Sequence, residues 1–201
     1  MREILPGIFH WTQIHPKISI PVSSYYLKTE SVLFDPLIPD EGLEWFAGDP
    51  PKHIYLSLRH HYRHCDEFSK RYGCDVWCVE PGLHEFTKGE AIHAFNFGDV
   101  LPGNVKAIEI GSLCADEGAF FIDREGGCMV LADGCVRRGD GPLQFVPDML
   151  LGDDPAAVKS GLMAAYRRLL DSYEFSNLLL AHGQPLVGGA KEALREFVEA
   201  P

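Results

Sequence analysis

The sequence predicts one domain of mixed α and β structure spanning residues 1–201. Three observations carry that expectation. The chain has 201 residues, 46% of them hydrophobic, which suffices for a substantial core of its own. Apolar runs of period two alternate with stretches of helical period, so neither an all-α nor an all-β reading holds throughout. No short fixed repeat, low-complexity segment or linker breaks the chain into parts.

In chain order, SSYYLKTESVLFDP reads as two strands joined at the polar turn KTES, and HIYLSL alternates Ile54, Leu56 and Leu58 against Tyr55 and Ser57. CDEFSKRYG follows as a short helix closed by Gly73, acidic at its start and basic at its end, as the helix dipole prefers. In GCDVWCVE, Cys74, Val76 and Cys78 alternate onto one strand face as small buried residues. NVKAIEI, GAFFID and CMVLAD are strands, the last two turning back at REGG as a hairpin. DDPAAVKSGLMAAYRRLLDSY is the clearest helix: Asp154 and Pro155 suit a cap and first turn, and Val158, Leu162, Tyr166 and Leu169 share a face. The strand NLLLA and the helix GAKEALREFVEA complete the chain.

Composition narrows the function classes. A formal charge of −11 opposes non-specific association with nucleic acid or an anionic membrane, and so points to a small-molecule partner. No run approaches the roughly 18–20 apolar residues of a membrane helix, and MREILPGIFHW has no apolar stretch before a small-residue cleavage site, so a soluble cytoplasmic protein is expected. The six cysteines form no CxxC pair and are expected reduced. No G-x-S-x-G segment, P-loop or dinucleotide glycine pattern is present, and a Cys65 nucleophile beside His64 lacks a third, orienting group. His84 and His93 fall in a polar connecting stretch, His10, His15 and His53 offer no constellation, and Trp11, Trp45 and Trp77 read as buried before they read as pocket residues.

Chemistry concentrates where strands end. HIYLSL runs into Arg59, His60, His61 and His64; CMVLA runs into Asp133 and Gly134; NLLLA runs into His182 and Gly183. Rigid strand ends meeting on one rim are where such sheets build sites, and imidazole with carboxylate suits zinc, manganese or iron. Singly, each residue has a bland alternative, a hydrogen-bonded loop histidine or an Asp-Gly turn. Their joint order is more telling.

In that order the chain resembles the metallo-β-lactamase superfamily, in a divergent form and over nearly its whole length. LSLRHHYRHC stands where the family has T-H-x-H-x-D-H, VLADG resembles the segment of the bridging aspartate, LLLAHGQP the terminal histidine segment, and SSYYLKTESVLFDP the N-terminal hairpin with Asp35 at the usual acidic position. The resemblance implies an α/β (α+β) fold, a four-layer αββα sandwich with its site along one edge of two facing sheets. It also implies a ligand set. With His64 as the motif's last histidine, His61 takes the second place, Arg59 the first, and Arg63 replaces the aspartate. IEIGSLCADEGAFFI lacks the third histidine, offering Cys114 or Asp116 instead. The metal residues implied are therefore His61, His64, Asp133 and His182.

Two functions follow from the resemblance. The first is a hydrolase with one divalent metal, zinc foremost and manganese or iron as alternatives, held by His64, Asp133 and His182. It would cleave a small-molecule ester, thioester, amide or phosphoester with metal-bound hydroxide, Asp133 orienting that group and His61 shuttling protons. The second is a metal-free anion-binding or regulatory module in which Arg59 and Arg63 replace the metal's charge and fork a carboxylate or phosphate. The choice turns on the arginines, because like unit charges about 4 Å apart repel by roughly 4 kcal/mol at an effective dielectric near 20. Arg63 could instead swing to solvent or pair with Asp66.

Overall fold

Pairing of extended segments builds the molecule from two large sheets; the computed structural model describes residues 1–200. The first sheet runs β1 (Arg2–Leu5), β2 (Ile8–Ile14), β3 (Pro21–Leu27), β4 (Val32–Phe34), β5 (His53–Tyr55), β6 (Asp75–Val79) and β7 (Ile92–Phe95), in that spatial order. The short connections up to β4 give antiparallel pairs, whereas β4, β5, β6 and β7 are parallel and joined by crossovers. The second sheet contains β8 (Val100–Leu101), β9 (Val105–Glu109), β10 (Gly118–Ile122), β11 (Cys128–Leu131), β14 (Asn177–Leu180) and β15 (Leu186–Val187). All its pairs are antiparallel except β11 with β14, where Leu131 stands opposite Leu180. A separate hairpin joins β12 (Cys135–Arg137) to β13 (Leu143–Phe145).

The inner faces of the two sheets meet in a core of Tyr25, Phe34, Tyr55, Phe120, Val130 and Leu179 with their neighbours. Outside the second sheet, α2 (Pro155–Ser172) and α3 (Ala190–Glu199) bury Leu162, Tyr166, Leu169, Leu194 and Val198. Outside the first, α1 (Cys65–Tyr72) and a 3₁₀ turn at Leu43–Gly48 bury Phe68 and Phe46 against Trp11, Ile54 and Val76. Helix, sheet, sheet and helix therefore form four layers, the αββα arrangement expected. No helix among the described residues is long and apolar enough to cross a membrane.

Local readings of the sequence reappear in detail. Gly73 closes α1 in the left-handed region, and Asp154 accepts the Ala157 N–H at 2.9 Å as the cap of α2. The REGG turn joins β10 to β11, with Ile122 opposite Cys128. Cys74, Val76 and Cys78 are all buried, and all six cysteines are free thiols. Three expectations need correction. HIYLSL is a strand only as far as Tyr55, because Leu56 to Leu58 lead into the 3₁₀ turn Arg59–Tyr62. His93 belongs to β7 and not to a connection. Trp45 is substantially exposed, packing edge-on against Phe9 and Phe46.

Candidate metal centre

The ends of four strands supply the site. In the first sheet, β4 leads directly into Asp35, and β5 leads through Leu56 into Ser57 and the turn carrying His61. In the second, β11 leads through Ala132 into Asp133, and β14 through Ala181 into His182. Since β11 and β14 are parallel neighbours in register, their ends are adjacent, with Asp133 and His182 each two residues beyond the Leu131–Leu180 pair. This is the edge where parallel strands release their C-terminal ends.

His61, Asp133 and His182 form a group whose potential ligand atoms all lie within 4.8 Å of one another. Asp133 Oδ1 is 3.1 Å from His61 Nε2 and 3.1 Å from His182 Nε2. Both are at ion-pair distance, and this oxygen is buried without a hydrogen bond of good geometry. Three potential ligand atoms from two sheets thus lie together at one place on the rim.

The first sheet fixes the orientation of His61, which is 5% exposed. Its Nδ1 lies 3.1 Å from Asp35 Oδ2 and 3.0 Å from Ser57 Oγ, which leaves Nε2 as the nitrogen facing Asp133. Asp35 is itself held by the Ser57 backbone N–H at 2.9 Å and the Ser57 hydroxyl at 2.6 Å. A carboxylate behind one imidazole nitrogen is the usual support of a metal-bound histidine. Burial alone would lower the His61 pKa, but Asp133 and then Asp35 outweigh it and raise it to about 9. Burial would raise the Asp133 carboxyl, and the two imidazoles instead hold it well below its ordinary value. Asp35 is lowered in the same way, its burial outweighed by His61, Arg63 and Ser57.

His64, expected among the ligands, stands outside this group. Its Nδ1 accepts the Ile38 N–H at 3.0 Å and its backbone N–H donates to the Pro36 carbonyl, so it anchors the segment after β4. His61 completes the trio in its place. The reason lies in the backbone between them: Arg63 adopts φ 43 and ψ −112, a region that costs a non-glycine residue about 1–3 kcal/mol and reverses the course of the chain.

Arg63 turns inward and not toward Asp66, which bonds Tyr62 and Lys70. Its Nη1 donates to the carbonyls of Ser23 at 2.9 Å and Asp35 at 2.6 Å, while Nε and Nη2 are buried without a hydrogen-bond partner among the described residues. Burial outweighs the attraction of Asp35 and Asp133 and lowers its pKa, although the group stays charged. Arg59 is engaged elsewhere: its guanidinium pairs with Asp116, and its backbone N–H donates to the same carboxylate at 2.9 Å. Asp116 is 2% exposed, and this engagement removes it from the group it was considered to repair. Cys114 is likewise absent from the group.

One contributor escapes the sequence reading. Glu117, 1% exposed, accepts the Leu113 N–H at 2.9 Å and the N–H of Gly134, next to Asp133, at 3.1 Å. Burial raises its pKa to about 7 despite those two donors. The only sequence signal is an acidic residue immediately before the apolar strand GAFFI.

No protein family's sequence pattern and no curated protein matches this chain. Solved structures do. A B3 metallo-β-lactamase with an active-site glutamic acid is 16% identical with a TM-score of 0.61, the match covering 89% of this chain and 80% of that one. A metallo-β-lactamase family protein from Thermus thermophilus is 15% identical with a TM-score of 0.67, over 98% and 79%. A flavodiiron protein from Giardia intestinalis is 16% identical with a TM-score of 0.67; 98% of this chain matches only 58% of its length. This chain has the metallo-β-lactamase fold.

Proposed function

We propose that the chain is a metal-dependent hydrolase of small molecules with one divalent ion, held by His61, Asp133 and His182. The observation that carries this reading is the buried Asp133 Oδ1, without a hydrogen-bond partner and 3.1 Å from each of two Nε2 atoms. Ligand atoms about 2.0–2.2 Å from a tetrahedral zinc stand roughly 3.3–3.5 Å apart; the two separations from Asp133 Oδ1 come within a few tenths of an ångström of that, and the two imidazole nitrogens lie within 4.8 Å of each other. A divalent ion there supplies Lewis acidity and an activated water for an ester, thioester, amide or phosphoester. The chain's own residues do the orienting. Asp35 and Ser57 fix the His61 ring, the paired ends of β11 and β14 fix Asp133 and His182, and Arg63 sets a permanent positive charge beside Asp35. Zinc is the first ion to try, with manganese and iron beside it, iron because the fold is shared with a flavodiiron protein.

The test is metal content. Protein expressed with zinc, manganese or iron supplied in turn, then dialysed, should hold about one ion per chain by elemental analysis. His61→Ala and His182→Ala should each abolish it, and His64→Ala should not. Absence of metal under every condition would overturn the reading. It would favour the metal-free anion-binding module, for which the unpartnered Nε and Nη2 of Arg63 are the supporting observation.

A further inference from the structure

We propose that Glu117 is a positioning residue for the metal centre, holding Asp133 in place through the backbone of Gly134 and tying the two sheets together at the site. The inference rests on the metal reading above and identifies a residue that reading does not use.

The connections run in both directions from one point in the chain. Glu117 Oε1 accepts the Gly134 N–H at 3.1 Å, while Oε2 accepts the Leu113 N–H at 2.9 Å. Both carboxylate oxygens are therefore spent on backbone donors of two different loops. The next residue, Gly118, donates its N–H to the carbonyl of Ser57 at 3.0 Å, and Ser57 holds Asp35 and His61. Two consecutive residues thus contact the segment carrying Asp133 in one sheet and the segment orienting His61 in the other.

Packing shows that Gly134 is held closely. A Cβ placed on it would stand 2.6 Å from Leu162 Cδ2, 2.7 Å from Glu117 Oε1 and 2.8 Å from Tyr166 Oη. Any side chain there would push aside all three walls, which come from α2 and from Glu117. A buried carboxyl is costly unless it is satisfied, and one of the two donors that satisfy this one is the residue after Asp133.

Glu117→Gln is the discriminating variant. It preserves volume but offers one oxygen for two N–H donors, so one anchor is lost. Metal affinity would be measured by chelator competition, together with the visible absorption spectrum of the cobalt-substituted protein and its melting temperature. Asp154→Ala, which removes the cap of α2 roughly two turns before Leu162, serves as a destabilised control. The expected result is a 10- to 100-fold weaker affinity, about the scale for groups supporting metal ligands, with an altered cobalt spectrum in Glu117→Gln and neither change in Asp154→Ala. Should Glu117→Gln not fold, Glu117→Asp, which keeps the carboxylate but withdraws it by one methylene from the Gly134 N–H, is read in the same way. Affinity within twofold of the unaltered protein and an unchanged spectrum would overturn the positioning role while leaving the metal reading intact. Failure of the unaltered protein to bind metal would overturn both.

Discussion

Gly183, the residue after His182, offers the sharpest test of how the site is held. Its φ is +101, and a Cβ there would stand 1.8 Å from the Arg137 carbonyl oxygen and 2.7 Å from the carbonyl carbon. Arg137 faces Gly183 across a parallel bridge, donating its N–H to the His182 carbonyl and accepting the Gln184 N–H, both at 3.3 Å. Gly183→Ala therefore forces an unfavourable φ, costing about 1–2 kcal/mol, and pushes away the strand that makes those two bonds, each worth about 0.5–1.5 kcal/mol. Gly73→Ala isolates the first effect, because Gly73 has φ +70 with nothing within 4 Å of its Cβ position. Urea unfolding of both variants should show Gly73→Ala losing about 1–2 kcal/mol and Gly183→Ala a further 1–3 kcal/mol or so, at unchanged m-value. Metal affinity should fall only in Gly183→Ala, since His182 moves with its neighbour. Equal losses in the two variants would refute the claim that close approach to Arg137 fixes this segment.

Two further outcomes follow from buried polar groups. His10, 3% exposed, is stacked on Tyr25 with Nε2 3.0 Å from Ser23 Oγ, and burial, with Arg2 adding to it, lowers its pKa from 6.5 to about 4. Its folded-state pKa lies below the unfolded one, so its contribution is complete above about pH 6.5 and is lost as pH falls toward 4. Between about pH 7.5 and pH 5 this amounts to roughly 2 kcal/mol, and His10→Phe should show a correspondingly smaller loss in urea unfolding at the two pH values. An acid loss unaltered by the substitution would count against it. Arg59→Leu leaves the buried Asp116 without its cation and should cost about 3–5 kcal/mol, with Asp116→Asn in the same chain restoring part of it; a cost under about 1 kcal/mol would sink that assignment.

What the sequence makes legible follows from periodicity and local chemistry. The face of α2, the left-handed Gly73, the REGG hairpin and the strand ends at Asp133 and His182 are each decided by a few neighbouring residues, and each stands as expected. The histidine run between Leu58 and Cys65 is not decidable in that way. It forms a 3₁₀ turn followed by one left-handed residue, so no period governs which imidazole faces inward, and His61 rather than His64 joins the trio. Arg63 is as hard to place, because its interior bonds go to the carbonyls of Ser23 and Asp35, distant in sequence. Glu117 is invisible for a related reason: an acidic residue in a loop reads as solvated unless the backbone donors it meets are known. His93 could have been found, since Ile92, Ala94 and Phe95 around it already suggest an extended segment.

The alignment of β11 with β14 reaches beyond the site it ends in. Sliding one strand by two residues would keep every side chain on its own face, yet carry His182 some 6–7 Å away from Asp133. Hydrophobic burial alone would barely notice such an error, whereas an ion needing both groups would. On the proposed metal reading, capture of an ion would therefore serve as an internal gauge of whether refolded chains, or chains with an altered segment between the two strands, have found the native alignment.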